Sequence, residues 1–433
     1  MTEMLAGIVL IGGFAVMLVA KIPVSFAMLL STLASALITG TNFSVLVRQM
    51  VDGANNFSLL SIPFFIVMGE FMSAGGISEK IVSLANLAVG RFRGGLAYVN
   101  VLDSMFFGGI SGSAVADVSS LGTIVIPMMK EQGYDEDFAV GLTVTTACQG
   151  VLIPPSHNMV IYALAAGGVS IGTLFMAGLL PGIALGCGMI LMCFLMSKRY
   201  SFPKGTGIPK GQGWRVLKEG ILPILTLVII MVGTGAGVFT ATEASAIACV
   251  YTMVLALAVF RSVRLRDIGR VIKNSLKTLA IVMTLLATAK AFAYMMTELR
   301  IPAAISNGLL SITENKYILL LIINVLLLVL GCFMDMAPLI TIMTPILLPV
   351  ITSVGVDPVH FGVIMIFNLA VGLCTPPVGS ALFVGCAIGR TPIERTAKNM
   401  LPLYAVMVVV LLLVTYIPGI SLALPRMLMG YAG

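Results

Sequence analysis

Shifting the chain by 222 residues lays its two most irregular regions onto each other without a gap. Pro127 falls on Pro349, Gly133 on Gly355, Asp135 on Asp357, Gly150 on Gly372, Pro154-Pro155 on Pro376-Pro377, and Gly167 on Gly389. A self-match of this kind marks two copies of one structural unit. Each copy contains a hydrophobic stretch too long for one crossing, residues 94–130 and 317–351, with small or polar residues at its centre. Those centres, Gly108 to Ser113 and Gly331 to Met336, are the expected tips of re-entrant hairpins. Gly109 aligns with Gly331, and Ser113 with Asp335. Each copy then continues into a stretch, 138–167 or 361–389, that a proline pair divides. Proline removes a backbone donor and clashes with the preceding turn, so these stretches are expected to be discontinuous helices. Arg48 and Arg270 also align, in amphipathic stretches at 45–57 and 261–277 that read as surface-lying braces.

The remaining apolar segments, near 5–20, 24–39, 58–74, 174–196, 221–239, 244–260, 278–297 and 400–417, approach the length that spans a bilayer. With 59% hydrophobic and 10% charged residues the chain departs far from soluble composition. The expected class is an all-α polytopic membrane protein. The net charge of +7 gives no basic face with interleaved aromatics, so nucleic acid is not an expected partner. The seven cysteines form neither a CxxC pair nor a metal-spaced cluster and read as small core residues. Met1-Thr2-Glu3-Met4 lacks a basic leader region, so the first apolar run reads as a span rather than a cleaved signal.

Charge sets the expected orientation. Lys198, Arg199, Lys204, Lys210, Arg215 and Lys218 lie in one loop, and Arg261, Arg264, Arg266, Arg270, Lys273 and Lys277 in another stretch; both belong on the cytoplasmic side. Counting spans outward from them puts both termini outside, the first hairpin opening inward and the second outward. The two repeats are therefore expected to have inverted topology. The expected division is scaffold and brace at 1–93, transport part at 94–167, and scaffold helix with basic loop at 168–220. The second copy repeats it with scaffold at 221–316, transport part at 317–389 and a C-terminal scaffold helix and tail at 390–433.

Inverted repeats with broken helices point to a secondary transporter whose substrate and coupling ions sit where half-helix ends meet unwound backbone. Carbonyls freed by a break can replace the hydration shell of Na⁺, while half-helix N-termini attract a carboxylate. Ser111, Gly112 and Ser113 are expected to face Pro154-Pro155-Ser156-His157-Asn158, and Asp335 to face the run Thr375 to Ser380. An intramembrane carboxylate is costly, which favours an ion site at Asp335. Ser111 and Ser113 could instead bond back to helix carbonyls. Lys290 lies inside an apolar span with Glu70 almost opposite it by the repeat, leaving an ion pair or a substrate contact open. No phosphate-cradling Walker motif suggests ATP as the energy source.

Several runs also carry a resemblance. They are Gly53 to Phe65 with Gly69-Glu70, Gly109 to Asp117, Ile153-Pro154-Pro155-Ser156, Ala241-Thr242-Glu243-Ala244, Phe333-Met334-Asp335, Asn368-Leu369-Ala370 and Thr375 to Gly379. In that order, from about residue 5 to 417, the chain resembles the large membrane subunit of tripartite ATP-independent periplasmic (TRAP) transporters. The resemblance implies Na⁺-driven uptake of an organic acid by an elevator mechanism across a bacterial inner membrane. It also implies a small four-helix membrane subunit, separate here, and a periplasmic substrate-binding protein. Carried over, the Na⁺ ligands are Gly109, Ser111, Gly112, Ser113, Gly150 and Pro154 in one half, and Asp335, Gly372, Thr375 and Pro377 in the other. The substrate residues are Ser156, Asn158, Gly379 and Ser380, and Glu243 and Arg300 are candidates for partner docking or simple interfacial charges. No cofactor, transition metal or catalytic residue is expected. Two rivals stand beside this reading. One is a single-component Na⁺/dicarboxylate carrier. The other is an intramembrane serine protease, because Gly109-Ile110-Ser111-Gly112 fits a G-x-S-G pattern but needs a base within reach of the serine.

Overall fold

The computed structural model describes residues 2–199, 202–205, 207–208 and 211–432; Lys210 lies outside them. The described elements are helical. The first half contains α1 (Thr2–Val19), α2 (Val24–Thr39), α3 (Phe43–Ala54), α4 (Ser61–Ala74), α5 (Ile77–Val89), α6 (Gly95–Ser111) and α7 (Ala114–Glu131). It continues through α8 (Glu136–Thr146), α9 (Gln149–Leu152), α10 (His157–Ala166) and α11 (Ile171–Arg199). The second contains α12 (Gly213–Gly235), α13 (Ala241–Val254), α14 (Ile268–Glu298), α15 (Ile301–Ile312), α16 (Lys316–Gly331) and α17 (Met336–Ser353). It ends with α18 (Pro358–Leu373), α19 (Ser380–Gly389), α20 (Ile393–Asn399), α21 (Leu401–Tyr416) and α22 (Pro418–Met429). Among the described residues, seven segments are long and apolar enough to cross a membrane, or up to nine when each bent pair is taken as one span.

Local chemistry sets the same boundaries in both halves. α7 and α17 are each 18 residues long, with both ends 222 apart. Gly133 and Gly355 follow them at φ +89° and +76°, a conformation in which a side chain would be strained. Asp135 and Asp357 then start the next helices by accepting backbone N–H bonds from Phe138 and from Val359 and His360. The hairpins turn at Gly112-Ser113 and between Cys332 and Asp335, while both proline pairs separate helices and hold a cis peptide bond. The first broken pair bends by 47°.

The halves differ where the braces were expected. Around 45–57 a separate short helix, α3, ends at Asn55, and Asn56 caps the next turn through its side chain. In 261–277 there is no separate brace: α14 runs unbroken from Ile268 to Glu298, absorbing the expected span at 278–297. No proline or internal glycine after Gly269 interrupts it, whereas its counterpart carries Asn55, Asn56 and Pro63. The helices α5, α15 and α22 were not anticipated; the first two occupy corresponding places before the two hairpins.

Packing sorts the helices into two groups. α2 lies on α1 and α14, α3 on α14, α4 on α13 and α14, and α12 on α13. The hairpins and broken helices form the other group, and their second halves cross over: α10 lies against the hairpin arm α17, and α19 against α7. α5 packs on both α12 and α6, and α15 on both α14 and α17, so each bridges the groups. The helices of 168–220 and 390–433, expected in the scaffold, pack as follows. α11 packs chiefly on α6, α9, α18, α21 and α22, and α21 on α18 and α8. Apolar character gave these helices no preference between the groups; the small residues Gly178, Gly182 and Gly186 seat α11 against Leu152, Ile153 and Gln149.

Candidate functional site

Two close backbone crossings build the site. Gly108 on α6 meets Gly150 on α9 so tightly that a methyl on either would overlap the other's Cα. In the second half Gly331 meets Gly372, where a Cβ on Gly372 would stand 2.7 Å from the Gly331 Cα. Glycine at these four positions lets each hairpin tip rest on its broken helix, main chain against main chain.

At the first crossing, a Cβ on Gly109 would stand 3.2 Å from the Pro154 carbonyl oxygen. Gly112, at φ +64°, lies against the break, with its Cβ position 3.0 Å from the Pro155 oxygen and 3.2 Å from the His157 nitrogen. The Ser111 hydroxyl contacts the carbonyls of Gly108 and Ser113 at 3.4 Å, and Ser113 Oγ accepts from Ala116 N to cap α7. Ser156 is fully buried with a hydroxyl that has no partner among the described residues, and Asn158 is buried close by on α10. The expected face-to-face arrangement of the first tip and the first break is thus present.

At the second crossing, Val378 N donates to the Cys332 carbonyl at 3.1 Å, and Ser380 Oγ donates to Asp335 Oδ1 at 3.0 Å. Gly379, at φ +28°, brings its Cβ position to 2.8 Å from the Thr375 oxygen. The Thr375 hydroxyl itself bonds back to Val371 O at 2.8 Å. Asp335 and Pro377 are exposed, whereas Pro154, Pro155 and Ser156 are buried. The first break is thus buried and its tip serines half-buried, whereas the second tip and break reach the surface at Asp335 and Pro377.

Two residues escaped the sequence reading. Asp103 on α6 and Asp117 on α7 are fully buried, and among the described residues none of their carboxylate oxygens makes a hydrogen bond of ordinary geometry. Asp117 Oδ2 stands 3.2 Å from the Cβ position of Gly108, directly under the first crossing. The repeat places Val325 and Leu339 at the equivalent positions, so the second half has no such pair. The available signal was two acidic residues inside an apolar hairpin, a costly placement.

Other expectations separate. Glu70 does not pair with Lys290: Glu70 lines a cavity of about 390 Å³ with Asp267 and Arg270, while Lys290 lines another with Asp52. Equivalence under the repeat relates positions in separate copies and does not bring their side chains together. Glu243 is exposed and closes a capping box, its Oε2 accepting from Thr240 N and Oγ1 at 2.8 and 2.9 Å. Arg300 is exposed at φ +53°, at the turn before α15. The protease reading lacks a paired base among the described residues: the Ser111 hydroxyl bonds the carbonyls of Gly108 and Ser113 and not His157, whose backbone lies beside Gly112, and the His360 ring bonds Ser421 and Thr415 O.

The fold resembles that of the Alcanivorax borkumensis YdaH transporter, with a TM-score of 0.63 at 14% identity, covering 88% of this chain and 89% of that one. Sequence relatives are nearer. The sialic acid TRAP transporter large permease protein SiaM of Vibrio cholerae is 37% identical over 97% of this chain and 98% of its own length. The C4-dicarboxylate TRAP transporter large permease protein DctM of Pseudomonas aeruginosa is 37% identical, covering 88% and 89% respectively. The isethionate TRAP transporter permease protein DctMQ of Oleidesulfovibrio alaskensis is also 37% identical, matching 96% of this chain and 65% of that longer protein. Residues 11–420 match the family model described as the tripartite ATP-independent periplasmic transporter, DctM component. The chain belongs to that family, the large permease proteins of TRAP transporters, and is a multi-pass membrane transporter rather than an enzyme.

Proposed function

We propose that this protein carries out Na⁺-coupled uptake of an organic acid across a bacterial inner membrane, with both termini on the periplasmic side. The observation that carries the reading is the paired crossing of hairpin tip on broken helix, glycine against glycine, with Gly150 and Gly372 related by the repeat and the tip glycines Gly108 and Gly331 one position out of register with it. Each crossing collects main-chain oxygens and hydroxyls where helices are interrupted, the chemistry that suits a desolvated Na⁺ and an anion.

In this proposal the first cage uses the carbonyls around Gly109, Gly112, Gly150 and Pro154 with Ser111 and Ser113, and Asp117 beneath it supplies negative charge. The second uses Asp335 with the backbone of Gly372, Thr375 and Pro377. Na⁺ neutralises the carboxylates and fixes the tips. Ser156, Asn158, Gly379 and Ser380, at the starts of α10 and α19, then hold the substrate carboxylate at half-helix N-termini. The two repeats have inverted topology, and the hairpins and broken helices, with α11, α21 and α22, move as one body against the other helices. Low cytosolic Na⁺ empties the cages and releases the substrate.

The names of the relatives refer to sialic acid, C4-dicarboxylate and isethionate, all organic oxyanions. We assign the same class here, delivered by a periplasmic binding protein. The longer DctMQ relative supports a small membrane subunit as partner. The test is uptake of labelled organic acids into proteoliposomes carrying this chain, with and without the small subunit and a binding protein, under an inward Na⁺ gradient. Uptake requiring all components and Na⁺ is the expected result. Uptake by this chain alone would make it a self-sufficient carrier, and uptake indifferent to Na⁺ would remove the coupling.

A further inference from the structure

Lys290 sits well inside the apolar helix α14, where a charge needs a purpose. Its stem passes the backbone of α3 at Gly53: a Cβ on Gly53 would stand 2.6 Å from the Lys290 Cβ and 3.1 Å from the Leu286 oxygen. α3 therefore fixes where the side chain leaves its helix. Lys290 is exposed, and among the described residues it takes part in no ion pair. It lines a cavity of about 360 Å³ bounded on one side by α3 and α14 and on the other by α10 and α17. Gln49, Asn56, Tyr294 and Thr297 add hydrogen-bonding groups to the same wall, and Asp52 is its single carboxylate. The far wall is α10, which begins at the first break, and α17, which begins at Asp335.

An ammonium without an ion pair, set among neutral polar groups and one carboxylate, held open by a glycine and facing the two helices that lead from the candidate cages, is an anion site. We infer that Lys290 forms a subsite that takes the carboxylate or sulfonate of the organic acid on its way to the two breaks. The inference rests on the proposed transport of an organic acid and adds the group that first receives it. Asp52 opposes it: the carboxylate repels the incoming anion and shares the ammonium's field, keeping the subsite weak enough to release.

The test compares Lys290→Gln, Lys290→Arg and Asp52→Asn in two assays. In Na⁺-driven proteoliposome uptake, Lys290→Gln should raise KM about tenfold or more, the loss of one charge-assisted contact. Lys290→Arg should restore it to within about threefold, and Asp52→Asn should lower KM, with half-activation by Na⁺ unchanged in all three. Opposite shifts from the two charge removals are not expected of residues that only support packing. In thermal unfolding of the purified chain at fixed Na⁺, succinate, N-acetylneuraminate or isethionate should raise Tm for wild type and Lys290→Arg but not Lys290→Gln. An unchanged KM in Lys290→Gln, or equal stabilisation of wild type and Lys290→Gln, overturns the subsite. If wild type shows no Na⁺-driven uptake while the Lys290-dependent stabilisation persists, the coupling reading fails and the subsite stands. If none of the anions stabilises wild type and none is taken up, both fail.

Discussion

Ser380 donates a 3.0 Å hydrogen bond from its Oγ to Asp335 Oδ1, so the start of α19 is tied to the cap of α17 across the second break. The bond spends one carboxylate lone pair and leaves the others of an exposed Asp335 free for the cation proposed there. Asp335→Asn is therefore expected to abolish Na⁺-dependent uptake at physiological Na⁺. Ser380→Ala should cost less, shifting Na⁺ half-activation by about tenfold or below. Uptake against Na⁺ concentration separates the two, and a Na⁺ response unchanged in Asp335→Asn would remove the residue from the site.

The glycine crossings make a prediction about stability. Gly150→Ala sets a methyl into the backbone of α6, where no flexible side chain can yield, and should destabilise by about 1–3 kcal/mol or prevent folding. Gly269→Ala, in α14 with nothing within 4 Å of the added carbon, should be neutral or stabilise by up to about 1 kcal/mol. Thermal unfolding in detergent checks both, and equal Tm values for the two variants would contradict the crossing.

Asp103 and Asp117 are buried without hydrogen bonds of ordinary geometry among the described residues, a placement that lowers stability unless a ligand compensates. Replacing Asp117 by leucine, the residue the second repeat carries at Leu339, should leave Tm unchanged or raise it and should abolish uptake. Asp103→Val, after Val325, should behave alike. Lower Tm with full uptake would make the pair structural and remove Asp117 from the first cage.

Much of this arrangement was legible because proline and glycine act locally. Pro154-Pro155 and Pro376-Pro377 had to break helices, and Gly112 had to accompany a turn, whatever packed around them. The tip of the second hairpin and the Asp335 partnership with the run ending at Ser380 followed from the same alignment. What sequence could not supply was proximity between separate helices. Asp117 is brought under the Gly108 crossing only when α6 and α7 fold back on each other. Glu70 and Lys290 lie within two positions of each other under the repeat yet line different cavities. α11 is apolar along its length, and only its glycines, seated on Leu152, Ile153 and Gln149, decide which group it joins.

The most direct test of alternating access lies between Ser73 on α4 and Ser120 on α7, whose hydroxyl oxygens are 3.1 Å apart. α4 belongs to the group proposed to stay fixed, and α7 is a hairpin arm proposed to move. In a Cys187→Ser background, Ser73→Cys/Ser120→Cys should form a disulfide on mild oxidation. The account predicts that the oxidised protein loses Na⁺-driven uptake and recovers it on reduction. Fully cross-linked protein that transports at the reduced rate would contradict the movement of one group against the other.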